Sequence, residues 1–133
     1  MSEFIFEYEM DVRDYECDMQ GVVNNSVYQN YLEHTRHQYL KSIGLDFATL
    51  TEKQINLMVI RIEIDYKAPL KSGDTFISAL RMERISPLRF GFVQQISRKS
   101  DNKIMIEALV IGTSVNERGR PELHQDLIDV WGL

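Results

Sequence analysis

The chain has 133 residues, of which 44% are hydrophobic and 26% charged, so we predict a single domain over residues 1–133. Its net charge of -5 argues against a nucleic-acid partner. Its single cysteine, Cys17, excludes an internal disulfide and favours a reducing compartment. No stretch reaches the roughly 20 apolar residues of a membrane span, and the N-terminus does not resemble a signal peptide, so we expect a cytoplasmic protein with no membrane partner.

The first half of the chain is predicted to contain a strand, a loop and a long helix. Apolar residues at every second position predict a strand over 4–13, and the polar segment 14–24 is typical of a loop. Apolar and aromatic residues then recur at steps of three and four, which predicts a helix over 26–43. Gly44 follows as the predicted C-terminal stop of this helix.

Two signals compete for the start of this helix. Ser26 and Gln29 have the spacing of a capping box. Asn24 and Asn25 stand just before them, and asparagine is also a preferred capping residue. The sequence leaves the choice open.

The second half of the chain is predicted to form four strands and a short helix. The strands are predicted from period-two alternation over residues 55–68, 75–85, 89–99 and 104–115. Within the first of them the apolar phase shifts near Val59 and Ile60, which a β-bulge would cause. Residues 122–130 are expected to form a terminal helix.

This order of elements indicates an α+β domain. Consecutive strands joined by turns make an antiparallel sheet, and the long helix has an apolar face that needs cover. We therefore predict a sheet of five to six strands wrapped around one central helix. The strand over 55–68 is rich in isoleucine and valine, so we also expect a partner subunit to cover it.

The loop before the helix brings a carboxylate close to a helix start. Asp18 stands a few residues ahead of the helix, and Gly21 lies between them. A helix start offers unpaired N–H groups and partial positive charge, which could hold the oxygen of a polarised carbonyl. Asp18 would then attack the carbonyl carbon or activate a water. The competing interpretation is an aspartate that only caps a turn.

A longer motif in the loop and helix carries a family resemblance. Its residues are Cys17-Asp18-Met19-Gln20-Gly21-Val22-Val23, followed by Tyr28, Glu33 and Arg36. The motif resembles the 4-hydroxybenzoyl-CoA thioesterase family of hotdog-fold proteins and its YbgC-like acyl-CoA thioesterases. Segments 12–16 and 21–25 resemble the plant acyl-ACP thioesterases of the same superfamily, and segments 66–69 and 72–74 resemble the superfamily's strand and turn pattern.

The resemblance implies a hotdog fold and hydrolysis of an acyl thioester, with no metal and with CoA only as part of the substrate. It implies that Asp18 is the catalytic carboxylate, that the Asn25 N–H holds the thioester oxygen, and that Gly21 shapes the loop. Many YbgC-like enzymes have histidine or tyrosine in place of Asn25, but a backbone donor survives this change. The expected substrate-binding residues are Val23, Asn24, Tyr28, Arg84 and Arg89.

The resemblance leaves the substrate and the assembly open. We favour acyl-CoA over an acyl carrier protein, because a negative surface does not help to dock an acidic carrier. The alternatives are an acyl-ACP thioesterase and a noncatalytic acyl-CoA-binding protein. Hotdog proteins usually pair across a two-fold axis, so we expect a homodimer or a homotetramer.

Other chemistry-bearing residues receive less weight. Glu33 and His37 share a helix face but lack a third ligand with recognisable spacing, so we do not predict a metal site. Glu33 is the second candidate for the catalytic carboxylate, and we expect it to pair with Arg36. Cys17 is predicted to be a packed residue, because the loop contains no histidine that could activate it. A hydratase is disfavoured for the same reason.

Overall fold

The computed structural model describes residues 3–133, apart from the side chain of Phe47; Met1 and Ser2, where the domain prediction begins, lie outside the described residues. The helices and strands in chain order are β1 (Phe6–Asp11), α1 (Asn25–Ser42), α2 (Phe47–Glu52), β2 (Asn56–Tyr66), β3 (Thr75–Ser86), β4 (Arg89–Arg98), β5 (Ile104–Val115) and α3 (Gln125–Trp131), with a 3-10 turn at Asp14–Glu16.

Within residues 3–133, the strands form one antiparallel sheet of five strands in the order β1-β3-β4-β5-β2, so β1 and β2 are the two edge strands. The predicted α+β arrangement of one long helix on an antiparallel sheet is confirmed, with five strands rather than six. Over residues 3–133, no helix has both the length and the apolar character needed to cross a membrane.

The helix α2 is absent from the sequence predictions. The Asp46 side chain accepts a hydrogen bond from the Thr49 N–H at 2.9 Å and caps this helix, and Leu50 buries its side chain in the core. With six residues, α2 is too short to show a helical hydrophobic period, so the cap was its only sequence signal.

The predicted β-bulge in β2 is confirmed. Val59 pairs with Gly112 and Arg61 with Ile111, so Ile60 is an extra residue in the strand. Leu57 and Ile64 are seven residues apart and would point to opposite faces of a regular strand. Because of the bulge, both pack against the core.

The core lies between α1 and the sheet and divides into two clusters. One cluster contains Tyr39, Phe90 and Trp131 and lies under the second half of α1. The other contains Tyr28 and Phe76 and lies under its first half. The second cluster therefore supports the start of α1, where the loop with the candidate site ends.

The predicted ion pair between Glu33 and Arg36 is wrong. Arg36 is only 7% exposed, donates a hydrogen bond to Gln94 Oε1 at 3.1 Å, and lies 5.8 Å from the centre of the Phe92 ring. Burial lowers the pKa of this guanidinium. The Glu33 carboxylate instead lies 3.9 Å from His37 Nε2 on the exposed side of the helix.

Candidate active site

The loop between β1 and α1 folds back on itself as a small hairpin. Cys17 and Val23 form an antiparallel bridge, and the Asp18 N–H donates to the Val22 carbonyl at 2.9 Å. Gly21 has a φ of +78°, in the left-handed region that glycine enters without steric cost, and its N–H donates to the Asp18 carbonyl at 3.0 Å. This closed loop determines where Asp18 stands.

The Asp18 carboxylate is oriented by the loop itself. Its Oδ1 accepts hydrogen bonds from the backbone N–H groups of Gln20 at 2.8 Å and Val22 at 3.4 Å. Its Oδ2 accepts no hydrogen bond from any residue between 3 and 133, and the side chain is exposed. The turn-capping and catalytic interpretations are thus compatible, because each uses a different oxygen.

The helix α1 starts with a backbone N–H that finds no acceptor in the described part of the chain. Asn24 caps the helix, because its Oδ1 accepts hydrogen bonds from the Ser26 N–H at 3.2 Å and the Ser26 hydroxyl at 3.1 Å. The cap is therefore Asn24 and not the box of Ser26 with Gln29. The Asn25 N–H, at the first helical position, donates to no residue within the described part of the chain. It remains available to a ligand.

Asp18 and Asn25 line the same cleft, whose volume is about 340 Å³. The predicted binding residues Val23, Asn24 and Tyr28 also line it, and Tyr66, Lys67, Ala68 and Pro69 complete its wall at the end of β2. The structure thus brings most of the predicted site residues to one place.

Two tyrosines shape this cleft. Tyr28 is only 2% exposed, and its hydroxyl accepts a hydrogen bond from the Leu70 N–H at 2.9 Å. Tyr66 is exposed, its hydroxyl donates to the Asn25 carbonyl at 3.4 Å, and its ring centre lies 5.7 Å from that of Tyr28. No role was predicted for Tyr66, because nothing in the sequence connects it to a helix start 41 residues earlier.

Glu16 is a second residue of the site region for which no role was predicted. Its Oε1 accepts hydrogen bonds from the Arg13 N–H and from the Tyr31 hydroxyl, both at 2.8 Å. Its backbone carbonyl accepts one from the Asn24 N–H at 3.0 Å. Burial and the hydrogen bond to Glu16 raise the pKa of Tyr31.

The turn between β2 and β3 holds the other side of the loop. The Val23 N–H donates to the Leu70 carbonyl at 2.9 Å, and Val22 forms an isolated bridge with Lys71. The Ser72 hydroxyl donates to the Asp14 carboxylate. The loop is thus tied to both the helix and the sheet.

Arg84 and Arg89 lie outside this cleft. They stand at the turn between β3 and β4. At this end of the sheet, Gly112 of β5 pairs with Phe90 of β4 on one side and with Val59 of β2 on the other, so the turn lies level with Val59. The cleft lies at the Tyr66 end of β2, roughly 20 Å along the strand. Within one protomer, the two arginines therefore do not reach the substrate position that Asp18 and Asn25 define.

The remaining candidates do not form alternative centres. Among residues 3–133, no group of three or more histidine, cysteine, aspartate or glutamate side chains is arranged to hold a metal ion. Desolvation and the nearby carboxylates of Asp14 and Asp18 raise the pKa of the Cys17 thiol, the opposite of what a nucleophilic cysteine needs. Glu33 does not line the cleft with Asp18.

Comparison with known proteins identifies the family. The model of the family described as the thioesterase-like superfamily matches residues 12–129. A chloroplastic acyl-acyl carrier protein thioesterase of Arabidopsis thaliana is 37% identical over 121 residues, which make up 91% of this chain and 63% of that protein. The chain thus spans less than two thirds of the length of this relative.

Solved structures share the fold of this chain. A crystal structure of a 1,4-dihydroxy-2-naphthoyl-CoA thioesterase from Synechocystis has the same hotdog fold, with a TM-score of 0.87 and 21% identity over 96% of this chain and 95% of that one. A protein of Aquifex aeolicus has a TM-score of 0.86 and 25% identity over 95% and 98% of the two chains. The chain therefore belongs to the thioesterase-like superfamily and has its hotdog fold.

Proposed function

We propose that this protein hydrolyses an acyl-CoA thioester to a free acid and a thiol. One observation carries the proposal: an oriented carboxylate and a helix-start N–H line the same cleft, and neither Asp18 Oδ2 nor the Asn25 N–H has a hydrogen-bond partner among residues 3–133. These are the two groups that acyl transfer needs, a nucleophile or base and an oxyanion donor. Val23, Asn24 and Tyr28 form the wall that holds the substrate.

The reaction begins with the thioester carbonyl oxygen at the Asn25 N–H. The dipole of α1 and this donor stabilise the negative charge that develops on the oxygen. On one route, Asp18 attacks the carbonyl carbon, the C–S bond breaks, and water hydrolyses the resulting anhydride. On the other, Asp18 takes a proton from a water that attacks the carbonyl carbon, the C–S bond breaks, and the departing sulfur takes up that proton. Both routes release the same acid and thiol and use no metal ion.

The choice between CoA and a carrier protein depends on charge and resemblance. The net charge of -5 opposes docking of an acidic carrier. The motif shared with YbgC-like enzymes also favours CoA. The name of the Arabidopsis relative favours the carrier instead, so an acyl-ACP thioesterase is the second candidate.

A thiol-release assay separates these candidates. We expect release from short, long or aromatic acyl-CoAs by the wild-type protein, and almost none by Asp18→Ala. Release from acyl carrier protein that falls with added salt, with little release from CoA esters, would favour the carrier. Tight acyl-CoA binding without thiol release would identify a noncatalytic binding protein.

The edge strand β2 supports a dimer. Its free edge carries five large apolar side chains that are between 38% and 52% exposed; these are Met58, Val59, Ile60, Ile62 and Tyr66. An exposed apolar edge of this kind is a surface for strand pairing. We propose that two protomers pair along β2, and that two such dimers form the homotetramer.

This dimer would give the two arginines a role. Two copies of one strand related by a two-fold axis run antiparallel. The turn with Arg84 and Arg89 in one protomer then lies at the same end of the joint sheet as the cleft of the other. Arginine suits phosphate groups, so these residues would bind the nucleotide end of CoA.

Ile62→Lys is expected to break the pairing of protomers along β2, and so to lower both the mass of the assembly and the thioesterase activity. The side chain is already exposed in the protomer, so the new charge leaves the fold intact but opposes burial in the interface. Sedimentation velocity measures the mass. Val130→Lys, at an exposed apolar position on α3, is the matched control and is expected to keep the wild-type mass. A wild-type monomer would contradict the proposal.

The proposed location is the cytoplasm. The single cysteine supports a reducing compartment, because the described chain contains no disulfide that an oxidising one would maintain.

A further inference from the structure

We propose that Glu16 is a positioning residue that sets the distance between the Asp18 carboxylate and the Asn25 N–H, an inference that rests on the proposed thioesterase function. Glu16 does not line the cleft in which the substrate is proposed to bind. It acts through hydrogen bonds on both sides of the site. Three observations support this role.

The first observation is the attachment of its side chain to α1. One oxygen of the Glu16 carboxylate accepts hydrogen bonds from the Tyr31 hydroxyl and from the Arg13 N–H. The other oxygen lies 3.4 Å from the Arg13 guanidinium. Tyr31 is only 3% exposed, and its ring centre lies 4.7 Å from that of Phe76 in the core. The carboxylate is therefore tied to a rigid point of the fold by a charge-assisted hydrogen bond.

The second observation is the attachment of its main chain to the helix cap. The Glu16 carbonyl accepts the N–H of Asn24, the residue directly before the proposed oxyanion donor. The bridge between Cys17 and Val23 continues this pairing toward the loop tip. Asp18 follows Glu16 by two residues, so Glu16 is hydrogen-bonded to the residue before Asn25 and linked through the chain to Asp18.

The third observation is how Asp18 itself is held. Its Oδ1 is oriented by the loop N–H groups of Gln20 and Val22, and its side chain is exposed. Nothing else within residues 3–133 bonds this carboxylate to the body of the protein. Its position relative to Asn25 therefore depends on how the loop base is fixed, and a displacement of about 1 Å costs about 10²-fold in rate.

Tyr31→Phe tests this role, because it keeps the buried ring and removes only the hydroxyl. We expect kcat to fall about tenfold or more with KM within about twofold of wild type. We also expect the amides of Gln20 and Val22 to exchange hydrogen about tenfold faster by NMR, since the loop base opens more often. Tyr39→Phe is the matched control, a buried tyrosine two turns along the same helix, and is expected to change neither value.

Two further variants separate positioning from a general loss of stability. Glu16→Gln keeps an oxygen that can accept the Tyr31 hydroxyl, so it should retain most of kcat, whereas Glu16→Ala should match Tyr31→Phe. Combined with Asp18→Asn, Tyr31→Phe should cost no further activity, because a positioning residue acts through the group that it positions. An additive loss, or unchanged loop exchange in Tyr31→Phe, would overturn the proposal.

The hydrogen-exchange measurement needs no substrate. Failure of the thioesterase proposal can therefore be distinguished from failure of the proposed role of Glu16. Faster loop exchange in Tyr31→Phe together with a wild-type protein that releases no thiol would overturn the thioesterase function. Normal thiol release by Tyr31→Phe would overturn the role of Glu16 and leave the function standing.

Discussion

Asp18→Asn is expected to lower kcat for thioester hydrolysis by about 10²–10⁴-fold while the protein keeps its fold. Asparagine retains an oxygen that can accept the hydrogen bonds from the Gln20 and Val22 N–H groups, so the loop stays closed. What it loses is the negative charge, and with it the ability to attack a carbonyl or to take a proton from water. Steady-state thiol release over a range of acyl-CoA concentrations measures the effect.

Asp14→Asn is the matched control for this experiment. Asp14 lies in the same loop and accepts a hydrogen bond from Ser72, but it does not line the cleft. We expect its kcat to stay close to the wild-type value. Turnover near wild type in Asp18→Asn would remove Asp18 from the mechanism, and Glu33→Gln would then test the second carboxylate candidate.

Asn25→Pro is expected to lower kcat by about 10²–10³-fold, because proline removes the proposed oxyanion donor itself. A backbone N–H can rarely be deleted without damage, but the first position of a helix tolerates proline well. The preceding residue, Asn24, already has the extended conformation that proline requires, with φ of -63° and ψ of 137°. Circular dichroism and thermal unfolding should therefore show an intact helix.

Asn25→Ala distinguishes the backbone from the side chain. Alanine removes the amide side chain but keeps the N–H, so we expect kcat within a few-fold of wild type. Equal losses in the alanine and proline variants would mean that the side chain of Asn25, and not its N–H, carries the function. Activity in the proline variant near that of wild type would exclude the oxyanion role.

The parts of the site that lie close together in sequence were predictable. Asp18, Gly21 and Asn25 stand within eight residues, and the chemistry of a helix start needs no long-range contact. The bulge in β2 was also predictable, because the apolar phase of the sequence itself shifts there.

Contacts between distant segments were not predictable. The hydrogen bonds from Tyr31 to Glu16 and from Tyr66 to Asn25 join residues 15 and 41 positions apart. The hydrophobic periodicity of a helix or strand does not predict such pairs. The partner of Arg36 was also missed, because helical spacing suggested Glu33 whereas burial directs the guanidinium to Gln94 on the sheet. Each miss reflects tertiary packing, which overrides local pattern.

The bulge at Ile60 has a consequence for solubility. An apolar strand at a sheet edge invites open-ended stacking of further chains into fibres. The extra residue interrupts the row of backbone donors and acceptors, and Arg61, Glu63 and Asp65 add exposed charges along the same strand. Such an edge opposes the addition of further strands to a growing fibril. It can therefore bind one complementary surface without promoting aggregation.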